Sequence, residues 1–468
     1  MFDESVEGRA SDFLRNSNIS LRNVVVAHML HRDYFAVAFT DVGPAETESS
    51  PRENINQCLE RSRVGAGLGA RALQTYSMDE IYVESMSSPE AAAEGSVLGT
   101  WDFEGYKKLG SAVKVPKVLP FVAEDGDRWK SGQMVAEGQN LARHISHMAP
   151  NVGTPEGIAD LAIKMLCPCN VMVEKRDIHW CASKKLHSLI EVAKSSRRPP
   201  VMLELTYCGG REDGRPMVLI GDGCTFDSWG LCLRNHKNLQ HGMFTKTGAA
   251  AVIGIMKAAA QLSLPLNING LVPLYGNQLG GMALRPGSVI ATYNKTTTEV
   301  HRTNTAARLV LSDLIGYSET LKPQVIINLA TLSVDTCEYF SETILAFTSE
   351  DKLYDTFERS SAISGDRVVR GPLCDYYKAK TTYRTLADTR VVPHMYNGDA
   401  MAAAMFLQNY KPKSTQMLTL DIGGSAFFRS PKPEHYLKPG LMTGSPVRTV
   451  VELLKQIACP NDKPPKCR

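Results

Sequence analysis

Apolar runs alternate with amphipathic stretches along the chain from residue 149 onward. Short, nearly continuous apolar runs predict strands, and longer stretches with one apolar helical face predict helices. The predicted strands are 201–207, 216–221, 267–275, 324–332, 343–348 and 416–422, and the predicted helices are 246–262, 305–321 and 398–410. Apolar strands separated by helices indicate an α/β fold with a central, largely parallel sheet that is covered on both faces.

The region before residue 125 mixes short strand patterns with helical patterns and predicts a small N-terminal α/β domain. Its predicted strands are 23–30, 34–40 and 80–85, and its predicted helices are 53–74 and 89–101. Residues 125–148 follow one long amphipathic helical pattern, which begins with acidic residues and ends with Arg143 and two histidines, as the helix dipole favours. We therefore expect three parts: an N-terminal α/β domain (1–124), a linking helix (125–148) and a larger C-terminal domain (149–468).

Composition excludes several classes of protein. The 468 residues are 43% hydrophobic and 22% charged with a net charge of +3, which is too mild a basic balance for a nucleic-acid or membrane surface. No apolar stretch reaches the roughly 18 residues that span a bilayer, and the acidic N-terminus resembles no targeting signal, although a removed presequence stays open. The 11 irregularly spaced cysteines argue against a secreted disulfide framework. These features alone favour a cytoplasmic protein.

Two short motifs are weak candidates for metal binding. Cys167 and Cys169 form a close pair without a second pair or histidines at zinc-site spacing, and His144 and His147 lie at helical spacing within the linking helix. We interpret the histidines as part of a helix surface.

Four segments fall at the ends of predicted strands, where ligands bind in open α/β sheets. They are 220–235, 241–250, 301–309 and 329–335. The third, "HRTNTAARL", lies between a strand-like run (289–300) and a predicted helix, and it aims Arg308 at this edge without any carboxylate on the same loop. These features alone describe only a generic α/β enzyme.

Several motifs in these segments are more specific. "GDGCTFDSWG", "MFTKTGAAA", "RTNTAARLVLSD", "INLATL", "LTLDIGG" and "LMTGSPVRTVVELL" occur in the same order as the motifs of the M17 leucyl aminopeptidases. The chain resembles this family nearly throughout, with a shorter N-terminus. The resemblance implies a two-domain subunit and a hexamer built as a dimer of trimers.

The resemblance also implies a metal site, and here the sequence departs from the family. The family hydrolyses N-terminal peptide bonds with two divalent metals such as zinc or manganese. Its lysine ligand falls on Asp222, its aspartates fall on Asp227, Lys246 and Asn304, and its glutamate falls on Ala306. Only Asp227 keeps the family residue.

The catalytic positions and the cleft are altered too. The family's catalytic lysine falls on Arg234, while Arg308 matches the arginine that holds a bicarbonate acting as base. Glycines of the family fall on Trp229, Ala307 and Val334, and bulkier residues at such positions should narrow the cleft. The expected cleft residues are Trp229, Ala307, Thr331, Leu332 and Val334.

Charge explains why the metals should be absent. Two metals need several carboxylates, whereas Asp222, Asp227 and Lys246 together carry a net charge of −1. We therefore expect no cofactor, and we expect the Lys246 ammonium to pair with Asp227, Asp222 or both. In the alternative, Lys246 faces solvent and Asp222 caps a loop.

Two other active sites are weaker alternatives. Asp222 and Asp227 with His241 or His301 could hold one metal, although Lys246 would repel it. Ser228 has no evident histidine partner for a hydrolase reaction.

Three functions follow. The first is a non-catalytic homologue with a structural role through its assembly, similar to the sperm leucyl aminopeptidases of insects, which occur in the paracrystalline material of sperm mitochondrial derivatives; the compartment would then be mitochondrial. The second is an active or weakly active metal-dependent aminopeptidase with an atypical site. The third is a regulatory or binding subunit: either its cleft holds a peptide or an anion on Arg234 and Arg308 without turnover, or the chain joins active paralogues in hetero-hexamers.

Overall fold

The structure is a computed structural model that describes residues 2–17, 19, 23–43, 53–108, 113–383, 385–392, 398–427 and 435–460. Within these ranges, the N-terminal part holds two small pairs of strands and four helices. Its elements are α1 (Phe2–Ser5), α2 (Arg9–Asn16), β1 (Val24–His31), β2 (Tyr34–Thr40), α3 (Gln57–Gln74), β3 (Glu80–Val83), α4 (Pro89–Thr100) and β4 (Lys117–Pro120). Strands β1 and β2 pair antiparallel, and β3 and β4 pair parallel.

A long helix, α5 (Gly126–His147), follows and leads into the C-terminal part. The helices there are α6 (Pro155–Leu166), α7 (Ile178–Ser183), α8 (His187–Ala193), α9 (Thr247–Gln261), α10 (Ala306–Tyr317), α11 (Val334–Phe340), α12 (Asp351–Ser364), α13 (Asp375–Thr382), α14 (Asp399–Gln408) and α15 (Val447–Ala458). The strands are β5 (Met172–Arg176), β6 (Val201–Cys208), β7 (Met217–Gly221), β8 (Gly223–Asp227), β9 (Asn267–Asn277), β10 (Ser288–Ala291), β11 (Thr297–Val300), β12 (Val325–Ala330), β13 (Thr343–Phe347), β14 (Arg367–Arg370), β15 (Thr389–Arg390) and β16 (Gln416–Asp421).

Nine of these strands form the central sheet, in the order β14-β13-β16-β12-β7-β9-β6-β5 with β8 also paired to β9. The pairings among β16, β12, β7 and β9 are parallel, as are those of β8 with β9 and of β13 with β14. The antiparallel pairings are β13 with β16, β6 with β9 and β5 with β6. The predicted α/β fold with a central, largely parallel sheet is confirmed.

The two faces of the sheet bury separate cores because side chains alternate along each strand. Leu219 and Ile327 lie in the core that packs against α9 and α15, whereas Val218 and Ile326 lie in the core that packs against α10 and α14. Burial on both faces explains why the strands are nearly continuous apolar runs in the sequence.

Helix α9 lies unusually close to the sheet at its N-terminal end. A Cβ atom on Gly248 would lie 2.2 Å from the carbonyl oxygen of Leu329, and one on Gly221 would lie 2.4 Å from the carbonyl oxygen of Gly248. Only glycine permits this approach. It places Lys246, just before α9, at the carboxyl ends of β7 and β12.

Helix α5 contacts both α4 and α9, and so bridges the N-terminal and C-terminal parts. Arg143 on α5 is fully buried and donates hydrogen bonds to the carbonyl oxygens of Leu98 and Met442. His147 is stacked on Phe103, and its Nδ1 lies 2.9 Å from the Arg143 carbonyl oxygen. The prediction of a histidine-bearing helix surface is therefore wrong for His147, which lies in an aromatic cluster. Our division of the chain into domains stays a proposal.

The predicted elements of the C-terminal part form within two residues of their expected bounds, and the helix at 305–321 ends in a 3₁₀ turn, Ser318–Leu321. One interpretation needs correction. The strand-like run 289–300 is a hairpin of β10 and β11, which pairs with β15 in a separate three-stranded sheet. The 301–309 loop therefore follows a peripheral hairpin and not a strand of the central sheet. None of the described helices is both long and apolar enough to cross a bilayer.

Candidate functional site

The four segments singled out in the sequence meet at one edge of the central sheet. The backbone N–H of Asp222 donates to the carbonyl oxygen of Leu329 at 3.0 Å, which joins the ends of β7 and β12. The amide of Asn277, at the end of β9, donates to Asp227 Oδ1 at 2.8 Å and to the Thr303 carbonyl oxygen at 3.0 Å. The sheet thus gathers the positions that sequence order implied.

Asp222 is a buried carboxyl group at the turn between β7 and β8. The hydroxyl of Tyr275 donates to Asp222 Oδ1 at 2.8 Å, and burial raises the pKa of Asp222 to about 7. Backbone N–H groups of Gly223 and Cys224 also donate to this carboxyl group. Asp222 therefore caps its own turn, in line with the alternative interpretation, and no ion pair with Lys246 forms among the described residues.

Asp227, at the end of β8, accepts hydrogen bonds from two neighbours and lies beside an arginine. Its Oδ1 accepts from the backbone N–H of Trp229 at 3.0 Å and from the amide of Asn277. Arg234 Nη2 lies 3.7 Å from Oδ2, and Arg234 Nε donates to the Asp227 carbonyl oxygen at 2.9 Å. Burial raises the pKa of Asp227, and Arg234 opposes that rise. The carboxylate that the family uses as a ligand is here bound to protein groups.

Lys246 lies at the start of α9 and is fully buried. Its Nζ donates to the carbonyl oxygen of Met148 at 3.1 Å and also to that of Met243. Burial lowers the pKa of Lys246 to about 7. The predicted pairing of Lys246 with Asp222 or Asp227 is wrong, and so is its alternative, in which Lys246 faces solvent. Tyr275 and Arg234 bind the carboxyl groups of Asp222 and Asp227. The Lys246 amine donates to backbone carbonyls instead.

The start of α10 carries the positions at which the family has an aspartate and a glutamate. Ala306 is buried, Ala307 is half-buried, and neither offers a ligand atom. Asn304 Oδ1 is buried and has no hydrogen-bond partner in the part of the chain that the structure describes. This turn therefore offers one neutral amide where two carboxylates would stand.

Arg308 has a partner that the sequence did not suggest. Its Nη1 lies 3.0 Å from Asp399 Oδ1 and its Nη2 lies 2.5 Å from Asp399 Oδ2, in a two-pronged ion pair. Nη2 also donates to the Leu332 carbonyl oxygen at 2.9 Å. Arg302 adds a second cation, with Nη2 3.7 Å from Asp399 Oδ1. The only local signal for Asp399 is its place after a glycine at the start of the predicted 398–410 helix.

Trp229 and Arg234 pack against each other beside Asp227. The backbone of Trp229 has φ of 72°, in the left-handed region that glycine adopts freely, and so carries strain. Its ring lies 4.3 Å from the Arg234 guanidinium carbon, a cation–π contact, and its carbonyl oxygen accepts from the Thr303 hydroxyl at 2.7 Å. The large ring therefore stands fixed where the resemblance implies a glycine.

The remaining cleft positions follow β12. Thr331 is half-buried and Leu332 is buried, and the Leu332 N–H donates to Asp421 Oδ1 at 3.0 Å. Val334 begins α11. Asp421, at the end of β16, also accepts from the Thr336 hydroxyl at 2.6 Å and so fixes the turn between β12 and α11.

The residues present do not fit two divalent metals. Among the described residues, no three histidine, cysteine, aspartate or glutamate side chains are grouped so that they could hold a metal ion. This also excludes, within those residues, the site built from Asp222, Asp227 and His241 or His301. Ser228 is buried, and its hydroxyl donates to the Asn277 carbonyl oxygen at 3.1 Å, so it is not arranged as a nucleophile.

Comparisons with known proteins agree with the fold. Residues 140–451 match the model of the cytosol aminopeptidase family, catalytic domain. The chain is 32% identical to the cytosol aminopeptidase of Sus scrofa over 97% of its own length and 87% of that protein, and 31% identical to the Homo sapiens protein over 98% and 89%. Among solved structures, the bottromycin maturation enzyme BotP in complex with Mn matches with a TM-score of 0.85 and 26% identity, covering 96% of each chain.

Proposed function

Since the chain belongs to the cytosol aminopeptidase family, we propose that it is a non-catalytic member whose role is structural and is carried by hexameric assembly. The observation that carries the proposal is the buried Lys246 amine, which occupies a metal-ligand position and is bound to two backbone carbonyls. An amine there supplies no negative charge in place of the carboxylate, and it repels a dication when it is protonated.

The surrounding charges support the same proposal. Two metals carry four positive charges, which a cluster of carboxylates must balance. Here Asp227 is already bound to Arg234, and burial favours the neutral form of Asp222. Asn304 and Ala306 supply no charge. Four of the five family ligand positions are therefore substituted, and the fifth, Asp227, is bound to Arg234, so the loss is not confined to one residue that a water molecule could replace.

Two alternatives keep a link to catalysis. The chain could be an active or weakly active enzyme with an atypical site, which its relatives' names favour, or a non-catalytic subunit in hexamers with active paralogues.

Under the structural proposal, a finer placement is among the sperm leucyl aminopeptidases of insects, in mitochondrial paracrystalline material. The reason for that placement is the number of substitutions near the site. Immunolocalisation in sperm would test it.

Metal content and turnover separate the first alternative from the proposal. We expect the purified protein, dialysed against zinc or manganese, to retain far less than one metal per subunit by elemental analysis. We also expect no hydrolysis of a leucyl chromogenic substrate above buffer. The cytosol aminopeptidase of Sus scrofa, treated in parallel, is the positive control. Stoichiometric metal with turnover would overturn the proposal, provided that an Asp227→Ala variant purified identically lost the turnover and so excluded a contaminant.

Assembly needs its own measurement. Light scattering coupled to size-exclusion chromatography should give six times the 51.3 kDa of one chain. A stable monomer would contradict a role carried by hexameric assembly. Mass spectrometry of the protein isolated from its natural source should identify this chain alone; stoichiometric active paralogues in the same particle would instead support the mixed hexamer.

A further inference from the structure

The guanidinium group of Arg308 is one of the most deeply buried cations in the C-terminal part. The residue is 1% exposed, and both terminal nitrogens bind the two oxygens of the Asp399 carboxylate. Two parallel N–H···O bonds are the geometry in which arginine takes up carboxylates and other oxyanions. The Asp399 carboxylate therefore stands in the place where a free oxyanion would bind.

A second cation lies beside this place. Arg302 Nη2 lies 3.7 Å from Asp399 Oδ1, so the carboxylate lies between two cations. The Nε of Arg308 is buried and has no hydrogen-bond partner among the described residues. Burial by itself would raise the pKa of Asp399, but Arg308 and Arg302 hold it below its ordinary value. At neutral pH the group between the arginines is thus an anion.

Asp399 is well placed to act as a tethered anion. It is the first residue of α14, where the helix dipole also favours negative charge. Because it belongs to the same chain, its effective concentration at Arg308 far exceeds that of any small anion in solution. A free oxyanion could enter only by displacing it.

We infer that Asp399 is an intramolecular occupant of an oxyanion site formed by Arg308 and Arg302, and that it excludes small oxyanions of the size of formate or bicarbonate from the cleft. The consequence is a latent site: a variant that lacks the carboxylate should take up such an anion. This inference goes beyond the proposed structural role, because an active or an inactive protein could carry the same tethered anion.

Chemical rescue tests the inference. Asp399→Ala removes the carboxylate and leaves space for formate or bicarbonate beside the two arginines. We expect its melting temperature to rise by roughly 2 °C or more, and saturably, when sodium formate replaces sodium chloride at constant ionic strength. The wild-type melting temperature should be the same in both salts. No gain for the variant, or an equal gain for the wild type, would overturn the inference.

A matched control separates a specific site from a general salt effect. Asp351 is the first residue of α12 and lies 2.7 Å from Arg370 Nη2, but this pair is exposed. Asp351→Ala should therefore show no formate-specific gain. Asp399→Asn keeps the shape of the side chain and serves if the alanine variant does not fold. Calorimetric titration of the wild type with formate or bicarbonate needs no variant, and tight binding there would also refute the inference.

Discussion

Replacing Lys246 by methionine removes one buried amine and leaves a side chain of similar length. Its two acceptors, the carbonyl oxygens of Met148 and Met243, then lose their donor. Each buried carbonyl left unpaired costs about 1–3 kcal/mol. At about pH 9, where the native lysine is largely neutral and still donates, we expect the variant to be about 2–6 kcal/mol less stable than the wild type.

The pH dependence of this gap follows from the lowered pKa. Burial lowers the pKa of Lys246 from 10.5 to about 7 in the folded protein. Between these values the unfolded chain binds more protons than the folded one, so the wild type gains stability as pH rises. For the pKa values given, the gain from about pH 6 to about pH 9 is about 2–3 kcal/mol. The carbonyl acceptors favour the charged form, so this figure is an upper value.

Urea unfolding of wild type and variant at a single protomer concentration measures the gap at each pH, and the difference between the two proteins cancels the titration of all other groups. Lys237→Met is the control, because Lys237 is an exposed lysine in the 3₁₀ segment His236–Phe244 just before α9. It should stay within about 0.5 kcal/mol of the wild type at both pH values. A gap that is independent of pH, or that narrows as pH rises, would refute the reasoning.

Three further predictions concern the frame of the site, and thermal unfolding checks each of them. Because Trp229 has φ of 72°, Trp229→Gly should be about 1 kcal/mol more stable than Trp229→Ala, although both lose the cation–π contact; equal stability would mean that the backbone is not strained there. Gly248→Ala should cost about 1–3 kcal/mol, since its Cβ would lie 2.2 Å from a backbone oxygen, whereas Gly126→Ala, with open space at the same atom, should cost nothing measurable. Asp313 is buried and accepts from the N–H groups of Ser188 and Tyr293, so Asp313→Asn should be destabilising and the exposed Asp355→Asn should be neutral. Burial raises the pKa of Asp313 to about 7, so the wild type should lose stability relative to Asp313→Asn as pH rises from about 5 to about 8; a gain would contradict this.

Elements of the fold with a strong hydrophobic period were predictable from sequence. The strand predicted at 324–332 and the helix predicted at 246–262 form almost as expected. Burial on both sheet faces requires a continuous apolar run, and burial on one helix face requires apolar residues at helical spacing, so both elements are visible in the sequence. Short strands such as Gly223–Asp227 were not predicted, because they contain glycine and aspartate and owe their pairing to β9. Tertiary contact overrides local propensity at such places.

The positions of the site were predictable, but the partners of its side chains were not. The order of the motifs placed Lys246 and Arg308 at the same edge of the sheet. Their actual partners lie far away in sequence: Met148 is 98 residues before Lys246, and Asp399 is 91 residues after Arg308. Local patterns carry no information on such pairs. The predicted ion pair of Lys246 with Asp222 or Asp227 was wrong for that reason. The charges of these residues alone could not show that Tyr275 binds Asp222 and that Arg234 binds Asp227.

One physical rule accounts for every charged group at the site. A buried charge must either find a partner or move its pKa until it is neutral. Asp227 and Arg308 follow the first course, with Arg234 and Asp399 as partners. Asp222 and Lys246 have no ion partner among the described residues, and burial brings the pKa of each to about 7. Protein groups and protons thus account for the charges of these four residues, and we expect removal of one partner, Arg234 or Asp399, to disturb the site.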